Sequence, residues 1–304
     1  MNQLGILIKR DTKLFFKDKM MFFTSMITPL ILLLLYATFL GKVYRDSFIS
    51  ILSGLNLGIE FPEKLINGCV GGQLMSSLLA VCCVTVAFCS NMLMVNDKVN
   101  GSINDLTITP VKPSVMSIAY YISTAISTLI VCFVAAVVCM IYLAFIGWYM
   151  SVGDILLLLL DVFLLVMFGT ALSSVIGVFL SSQGQISAVG TVVSAGYGFI
   201  CGAYMPISTF SEGLQKVIAF LPGTHGTALL KTHALNGALN EMGRLGVPEE
   251  IVTDIKNSLD GSVKLAGEYL GEGTMYLVLS GSVVILLALY VVIHYYRSRK
   301  KRIK

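Results

Sequence analysis

Six long apolar runs, almost free of charged residues, alternate with shorter polar segments along the chain. Each run is long enough for a transmembrane helix, since about 20 residues at about 1.5 Å of rise per residue cross about 30 Å of hydrocarbon. The pattern therefore predicts an all-α polytopic membrane protein with six transmembrane helices. The runs cover residues 22–41, 69–95, 117–146, 154–181, 186–204 and 273–293.

The pattern also predicts helical segments outside these spans, within a single domain over residues 1–304. The N-terminal segment places leucines and Phe15 on one side of a helix and cations largely opposite, which is typical of a helix at the membrane interface. A membrane anchor and a lever that connects a cytoplasmic partner to the first span both fit this pattern. The segments are 1–21 (interfacial helix), 22–204 (spans one to five), 205–272 (outer helical segment) and 273–304 (last span and basic tail).

The positive charges lie on one side of this topology. The N-terminal segment, the loop 96–116 and the tail carry 13 Lys and Arg residues, whereas the short loops on the other side carry three. Loops that stay in the cytoplasm are rich in Lys and Arg. Both termini are therefore predicted to be cytoplasmic, in a multi-pass protein of the cell membrane.

Composition excludes several classes of function. Hydrophobic residues make up 56% of the 304 residues and charged residues only 12%, whereas soluble domains carry about 25% charge. A soluble enzyme, a disordered chain and a nucleic-acid binder are excluded, because so few charges cannot cover a soluble fold. The seven cysteines show no metal-binding spacing, and His225 and His233 lie on different helix faces. No metal site, disulfide or catalytic residue is predicted.

The loop 96–116 has a helical pattern of its own. Leu106 and the isoleucine three residues before it are spaced as on one helix face. Asn100 or Ser102 is placed to cap the helix, and Pro110 to end it. A short helix at a cytoplasmic turn is a docking surface.

Four stretches resemble the type-2 permeases of the ATP-binding-cassette transporter superfamily, exporter type. The loop 96–116 carries the family's succession of an acidic-basic pair, a Gly-Thr pair, an acidic residue, a leucine and Thr-Pro, here with serine for threonine. Lys9-Arg10-Asp11, Thr28-Pro29-Leu30 and Pro222-Gly223-Thr224-His225 agree with it, in order along the whole chain. The residues to which the resemblance assigns coupling to the ATPase are Asp97, Lys98, Gly101, Ser102, Asp105, Leu106 and Pro110.

The resemblance implies a membrane subunit without a motor of its own. No stretch reads GxxxxGK[ST], so the chain is predicted to bind no nucleotide or other cofactor and not to be an enzyme. ATP and Mg²⁺ belong on a separate ATP-binding subunit, present in two copies. A second permease copy, identical or related, completes the dimer within membrane lipid.

Polar side chains mark one face of the second span. Gln73, Ser77 and Asn91 share this face, the first and last being about five helical turns apart. Such a face looks toward protein or a cavity, so helix–helix hydrogen bonding and the lining of a pathway both fit. In the resembling family the second and fifth spans border the substrate route, which adds Ser194 and Tyr197.

Small residues recur at four-residue spacing in the fourth and fifth spans. This spacing permits close helix contact, within one protomer or across a dimer. In and just after the fifth span the residues concerned are Gly190, Gly198 and Gly202.

Asp161 is the one acid well inside a predicted span. An intramembrane acid is a candidate for proton coupling. It lies only about 10 Å along the helix from the outer interface, so water is expected to reach it.

The outer segment 205–272 has two predicted helices. The first has an amphipathic face that ends at Pro222, and the second begins at Pro248. The resemblance places an outer gate at Pro206, Phe210, Pro222 and His225.

The favoured function is the permease subunit of an ATP-driven exporter. Its substrate is predicted to be hydrophobic or amphipathic (a drug, peptide or lipid), moved out of the cytoplasm or the inner leaflet. The alternatives are a transporter driven by an ion gradient through Asp161, an exporter of polysaccharide or cell-envelope precursor from the same family, and a membrane scaffold.

Overall fold

A computed structural model describes residues 3–54, 61–109, 111–265 and 267–302, and its regular secondary structure is helical apart from one small hairpin. The all-α prediction is therefore confirmed for these ranges. The helices are α1 (Gln3–Lys17), α2 (Lys19–Leu35), α3 (Gly41–Gly54), α4 (Glu63–Val99), α5 (Ser102–Ile108), α6 (Pro113–Ile146), α7 (Val152–Phe179), α8 (Gln183–Ile200), α9 (Glu212–Ala219), α10 (Pro222–Arg244), α11 (Glu249–Ser258) and α12 (Glu272–Arg302). A π-helical segment (Tyr36–Leu40) joins α2 to α3, a 3-10 turn covers Ile207–Thr209, and β1 (Lys264–Leu265) pairs antiparallel with β2 (Glu268–Tyr269).

Within the described ranges, five helical segments are long and apolar enough to cross a membrane. They correspond to predicted spans one to four and six. The predicted fifth span, 186–204, corresponds to α8, which has 18 residues and is rich in glycine, serine and glutamine. It is not among the five, so the count of six spans stays a prediction. The five segments are Lys19–Ser50, Glu63–Val99, Pro113–Ile146, Val152–Phe179 and Glu272–Ile293.

The long helix α4 is the centre of the bundle. It packs against α2, α6, α7, α8 and α10, and its middle is buried on every side. Small residues permit this close packing. A Cβ atom on Gly72 would lie 2.9 Å from the Ala234 carbonyl of α10, and one on Gly169 would lie 3.0 Å from the Cys83 carbonyl of α4. The small residues of α7 therefore serve contact within the protomer.

The helix α10 is the largest departure from the predicted elements. It runs for 23 residues, and its first two-thirds are buried against α4, α7 and α12. The first predicted outer helix does end before Pro222, because α9 ends at Ala219. Pro222 also lies in the first turn of α10, which was not predicted, and there the missing N–H of proline breaks no helical hydrogen bond. The second helix of the segment starts as predicted, because α11 begins directly after Pro248.

The N-terminal helix α1 is separated from α2 at Asp18. The side chain of Asp18 accepts a hydrogen bond from the Met21 N–H at 3.0 Å and caps α2. The buried residues of α1 are Leu7, Asp11 and Phe15, spaced four apart, and α1 packs against α6 and α2. A stripe of α1 thus packs against protein, which favours the lever over a simple lipid anchor.

The helices form a bundle with two distinct ends. The coupling end comprises α1, α5, the last turns of α4 and the first turns of α6. The cap end comprises α9, α11, the hairpin and the first turns of α4, α7 and α12.

Candidate functional site

The short helix α5 projects from the coupling end. Gly101 adopts a left-handed backbone conformation (φ 81°), which lets the chain reverse tightly after α4. Gly101 is itself the N-cap and α5 has no side-chain cap, so the predicted capping by Asn100 or Ser102 is wrong. The helix ends at Ile108, and Pro110 lies outside the described residues.

The carboxylate of Asp97, at the end of α4, joins three helices. Arg10 of α1 donates to it from Nη1 at 3.0 Å, and Tyr120 of α6 donates from Oη at 2.6 Å. The same Arg10 atom also donates to Asp11 at 2.7 Å. Asp97, which the resemblance assigns to coupling, is only 7% exposed. It therefore does not present its carboxylate to a partner at the surface, and instead fastens α1 and α6 to α4.

Burial and charge pairing shift the pKa values of Arg10 and Asp11 in opposite directions. Burial alone would lower the pKa of Arg10, but its hydrogen bond and charge pairing with Asp97 raise that pKa above the usual value. Burial raises the pKa of Asp11 to about 6, although the Arg10 guanidinium acts to lower it. Arg10 therefore stays charged, while Asp11 is poised to take up a proton in mild acid.

The other predicted coupling residues divide into inward and outward groups. Lys98 donates to the Gly177 carbonyl at 3.0 Å, at the C-terminal end of α7, where the helix dipole favours a cation. Leu106 is half-buried and packs against a cluster of buried residues from α4, α6 and α8. Asp105 is exposed, and so is Ile108 at 85%.

Ile108 was not among the predicted coupling residues. It lies three positions after Asp105, so the two share one face of α5. Such an exposed apolar side chain beside an exposed carboxylate is typical of a docking surface, and the only signal in the sequence was this spacing. Among the side chains of α5 that the structure describes, Asp105 and Ile108 therefore point outward.

The polar face of α4 is buried inside the protomer, like the rest of the middle of this helix. Gln73, Ser77 and Asn91 are each at most 3% exposed. Asn91 donates from Nδ2 to the Ser173 carbonyl at 2.6 Å, whereas Gln73 Oε1, Ser77 Oγ and Asn91 Oδ1 have no hydrogen-bond partner within the described part of the chain. Helix–helix hydrogen bonding is thus observed for Asn91, and a role of this face in a pathway stays a prediction.

The two predicted pathway residues of α8 have different neighbours, Ser194 beside Tyr204 and Tyr197 beside Gly223 of α10. The Ser194 carbonyl accepts a hydrogen bond from Tyr204 Oη at 3.5 Å. Tyr197 packs against Gly223, where an added Cβ would lie 2.6 Å from the tyrosine oxygen. These residues are half-buried within the protomer, and their part in transport stays a prediction.

The three glycines in and just after α8 have neighbours in the same protomer. A Cβ on Gly190 would meet Met92 of α4, one on Gly198 would overlap the Tyr204 ring, and Gly202 has φ 74° beside Ile207. Their use in packing within the protomer is therefore observed, and a role in a dimer stays a prediction.

A hydrogen-bonded cluster fastens α10 to α7 and α12. His233 Nδ1 lies 2.6 Å from Asp161 Oδ2, and Tyr276 Oη donates to Asp161 Oδ1 at 2.6 Å. Glu272 lies 3.9 Å from His233 Nε2 and is 47% exposed in its side chain. Asp161 itself has 0% exposure, so our expectation that water reaches it is wrong for this structure.

A buried ion pair ties the middle of α10 to the cap end. Lys231 is 0% exposed, and its Nζ lies 3.1 Å from Asp260 Oδ2 and 2.9 Å from the Gly202 carbonyl. The same Asp260 oxygen accepts the Ile207 N–H at 3.0 Å. This pair holds α10, the loop after α11 and the corner after α8 together.

The predicted gate residues are distributed around this corner. Pro206 and Phe210 flank the 3-10 turn and are half-buried, and Pro222 starts α10. His225 is buried and donates from Nε2 to the Ala219 carbonyl at 2.9 Å. His225 thus holds α9 against α10, and gating by these residues stays a prediction.

Comparison with known proteins decides the family. The family model of the ABC-2 type transporter matches residues 2–232, which is more than half of the chain. The chain belongs to the ABC-2 type transporter family. This ABC-2 protein is therefore a membrane-embedded permease subunit of an ATP-binding-cassette transporter, and permeases of its family normally work with an ATP-binding subunit. A search among curated proteins finds no match.

Proposed function

We propose that this ABC-2 permease is the membrane subunit of an exporter, working as a dimer with two ATP-binding subunits. The observation that carries the proposal is the coupling end. There α5 presents Asp105 and Ile108 outward, while Asp97 behind it is bonded to both α1 and α6. A partner that pushes on α5 would therefore move three helices together.

The proposed topology has six spans and cytoplasmic termini. Lys and Arg concentrate at the coupling end and in the tail, which favours a cytoplasmic location for both. As the fifth span, α8 would extend about 27 Å over its 18 residues. Its polar composition suits a helix that faces a second copy or a cavity, and Val192 on it is 71% exposed.

The proposed mechanism is a rigid-body movement between two arrangements. Closure of the ATP-binding subunits would displace α5, and the Arg10–Asp97–Tyr120 contacts would transmit the displacement to α1 and α6. The Lys231–Asp260 pair would carry movement of α8 and α10 to the cap end. The coupling and cap ends would thus change together.

The proposed substrate is a hydrophobic or amphipathic molecule, such as a drug, peptide or lipid. Support comes from the helical segment between α8 and α12, which covers the cap end with α9 and α11 instead of leaving a wide opening. Export of polysaccharide or cell-envelope precursor by the same family is the alternative.

A second candidate function, proton-driven transport, rests on the cluster around Asp161. Asp161, His233 and Glu272 form a succession from a buried carboxylate to a partly exposed one. Transport in vesicles distinguishes the candidates. A proton carrier predicts that Asp161→Asn abolishes transport driven by a pH gradient, whereas an ATP-driven exporter predicts transport that needs ATP and no pH gradient.

The docking surface provides the test of the favoured function. We expect Ile108→Ser and Asp105→Lys to weaken co-purification of the ATP-binding subunit by roughly 5- to 150-fold, since truncated interface anchors cost about 1–3 kcal/mol. The matched controls are Leu245→Ser and Asp254→Lys, which change an exposed apolar residue and an exposed acid near the cap end. Wild-type docking and hydrolysis in the two α5 variants would refute the assignment of α5.

A further inference from the structure

A groove with a cavity volume of about 860 Å³ lies toward the cap end, between α4, α6 and the first helical segment. The first helical segment is Lys19–Ser50, which comprises α2, the π-helical segment and most of α3. Its wall includes residues of the π-helical segment Tyr36–Leu40, a kind of irregularity often found at functional sites. None of the residues predicted for the pathway or the outer gate lines it. The groove is therefore separate from the features that support the proposed transport function.

Most of the groove is apolar. Leu33, Val70 and Ile146 contribute aliphatic surface from three different helices. Tyr36 donates its hydroxyl to the Val70 carbonyl at 2.8 Å and stacks on Tyr44, so its ring forms a fixed wall with its polar atom satisfied. A wall of this kind suits a hydrocarbon chain.

One rim of the groove carries charge. Lys42, Arg45 and Asp46 stand at i, i+3 and i+4 of α3, and therefore on one helix face. Within the described residues, no ion pair includes Lys42 or Asp46. Arg45 pairs with Glu63 at 3.0 Å, but the Glu63 side chain is 82% exposed, so water screens that contact.

The position of this rim matches the edge of a membrane. The first helical segment begins at Lys19. At about 1.5 Å of rise per residue, Lys42 lies about 34 Å further along the helix axis, which is slightly more than the thickness of about 30 Å of the hydrocarbon core of a membrane. Leu33 lies about 14 Å nearer the membrane centre, which is about the depth of one leaflet. If this segment spans the membrane, its length places the charges at the level of lipid headgroups and the apolar wall at the level of acyl chains.

We propose that this groove binds one phospholipid of the phosphatidylethanolamine class. The phosphate oxygens accept hydrogen bonds from Lys42 and Arg45, the ammonium group donates to Asp46, and an acyl chain lies along Leu33 and Ile146. An anionic headgroup would leave Asp46 facing like charge. A lipid without phosphate would leave Lys42 without an anion and Arg45 with only its solvent-screened contact to Glu63. A zwitterion pairs all three side chains.

The headgroup contacts are tested by native mass spectrometry of the purified, delipidated full chain without its ATP-binding subunit. Phosphatidylethanolamine, phosphatidylglycerol and diacylglycerol with the same acyl chains are added in turn. We expect phosphatidylethanolamine to bind most tightly, and the double variant Lys42→Gln/Arg45→Gln to bind it about 5- to 10-fold less tightly, as for the loss of two exposed charge contacts. Asp46→Asn should abolish the preference over phosphatidylglycerol, and Lys64→Gln, an exposed lysine that does not line the groove, should change nothing.

The acyl-chain contact is tested by filling the groove. Leu33→Trp should abolish the bound lipid, whereas Leu34→Trp, at a neighbouring exposed leucine that does not line the groove, should retain it. Both positions are at least 44% exposed, so each variant should fold, and its melting temperature checks this. Equal retention of phosphatidylethanolamine by all variants, or tighter binding of phosphatidylglycerol by the wild type, would overturn the proposal. Failure of the ATP-binding subunit to co-purify would bear only on the transport function.

Discussion

Replacing Arg10 by glutamine removes the cation that joins α1 to α4. Its Nη1 atom lies 2.7 Å from Asp11 and 3.0 Å from Asp97, and the side chains of these two acids are only 2% and 10% exposed. Removing one partner of a buried pair costs about 3–5 kcal/mol. Because the Arg10 side chain is 31% exposed, solvent screens part of this, and we expect about 2 kcal/mol, or about a 30-fold loss in the docking of α1.

Hydrogen exchange measured by mass spectrometry tests this in the reconstituted protein. Amides of α1 should exchange about 30-fold faster in Arg10→Gln, while those of α7 stay protected. Lys13→Gln is the matched control, since Lys13 is exposed on the same helix and has no ion pair within the described residues. Adding Asp97→Asn to Arg10→Gln should restore part of the protection, because it removes a buried charge that has lost its partner. Unchanged exchange in α1, or an equal increase in α7, would refute the assignment of Arg10.

Three further perturbations test other parts of the structure. Because the folded pKa of Asp11 is about 6, above its unfolded value, the stability it contributes is present below about pH 4 and lost as the pH rises through 6. Asp11→Asn should remove this pH dependence of the free energy of unfolding, which amounts to up to about 3 kcal/mol. Thermal melts of both proteins between pH 4 and pH 8 measure it. His233→Gln should lower the free energy of unfolding by about 3 kcal/mol, because Asp161 loses a buried partner. Docking of the ATP-binding subunit should stay intact. A wild-type melting curve for this variant would contradict the prediction. Gly237→Ala should lower the free energy of unfolding by about 1–3 kcal/mol, because the added Cβ would overlap a carbonyl of the α6–α7 turn. Gly243→Ala, with open space around it, should leave the stability unchanged. Similar melting temperatures for the two variants would contradict this packing.

The apolar runs predicted most of the long helices because local composition decides whether a segment fits hydrocarbon. The run 117–146 corresponds to α6, which ends at Ile146 directly before Gly147. The run 22–41 is shorter than the helical segment observed, since helix continues from Gly41 to Gly54 in α3. Apolarity marks where a helix meets lipid but not where the helix itself ends.

The burial of α10 was not predictable from local pattern. Its sequence contains Lys231 and His233, which look too polar for the interior of a bundle. Their partners Asp260 and Asp161 lie 29 and 72 residues away, so only the tertiary structure shows that these polar groups are satisfied. The same holds for Arg10, which is 87 residues from Asp97.

The coupling loop was predicted in place but only partly in its residues. The sequence located a short helix after α4, and the structure has α5 there. Whether a side chain points outward depends on how α5 lies against α4 and α6, so Leu106 is turned inward and Ile108 outward. Sequence spacing alone could not distinguish these two faces.

The central claim, that this permease is driven by a separate ATP-binding subunit, is tested most directly by the location of bound nucleotide. A photoreactive ATP analogue is added with Mg²⁺ to the purified permease and to its complex with the ATP-binding subunit, and the labelled chain is identified by mass spectrometry. Because no GxxxxGK[ST] stretch is present in the chain, we predict label on the partner in the complex and none on the permease alone. Saturable labelling of the permease alone, displaced by unlabelled ATP, would contradict the claim.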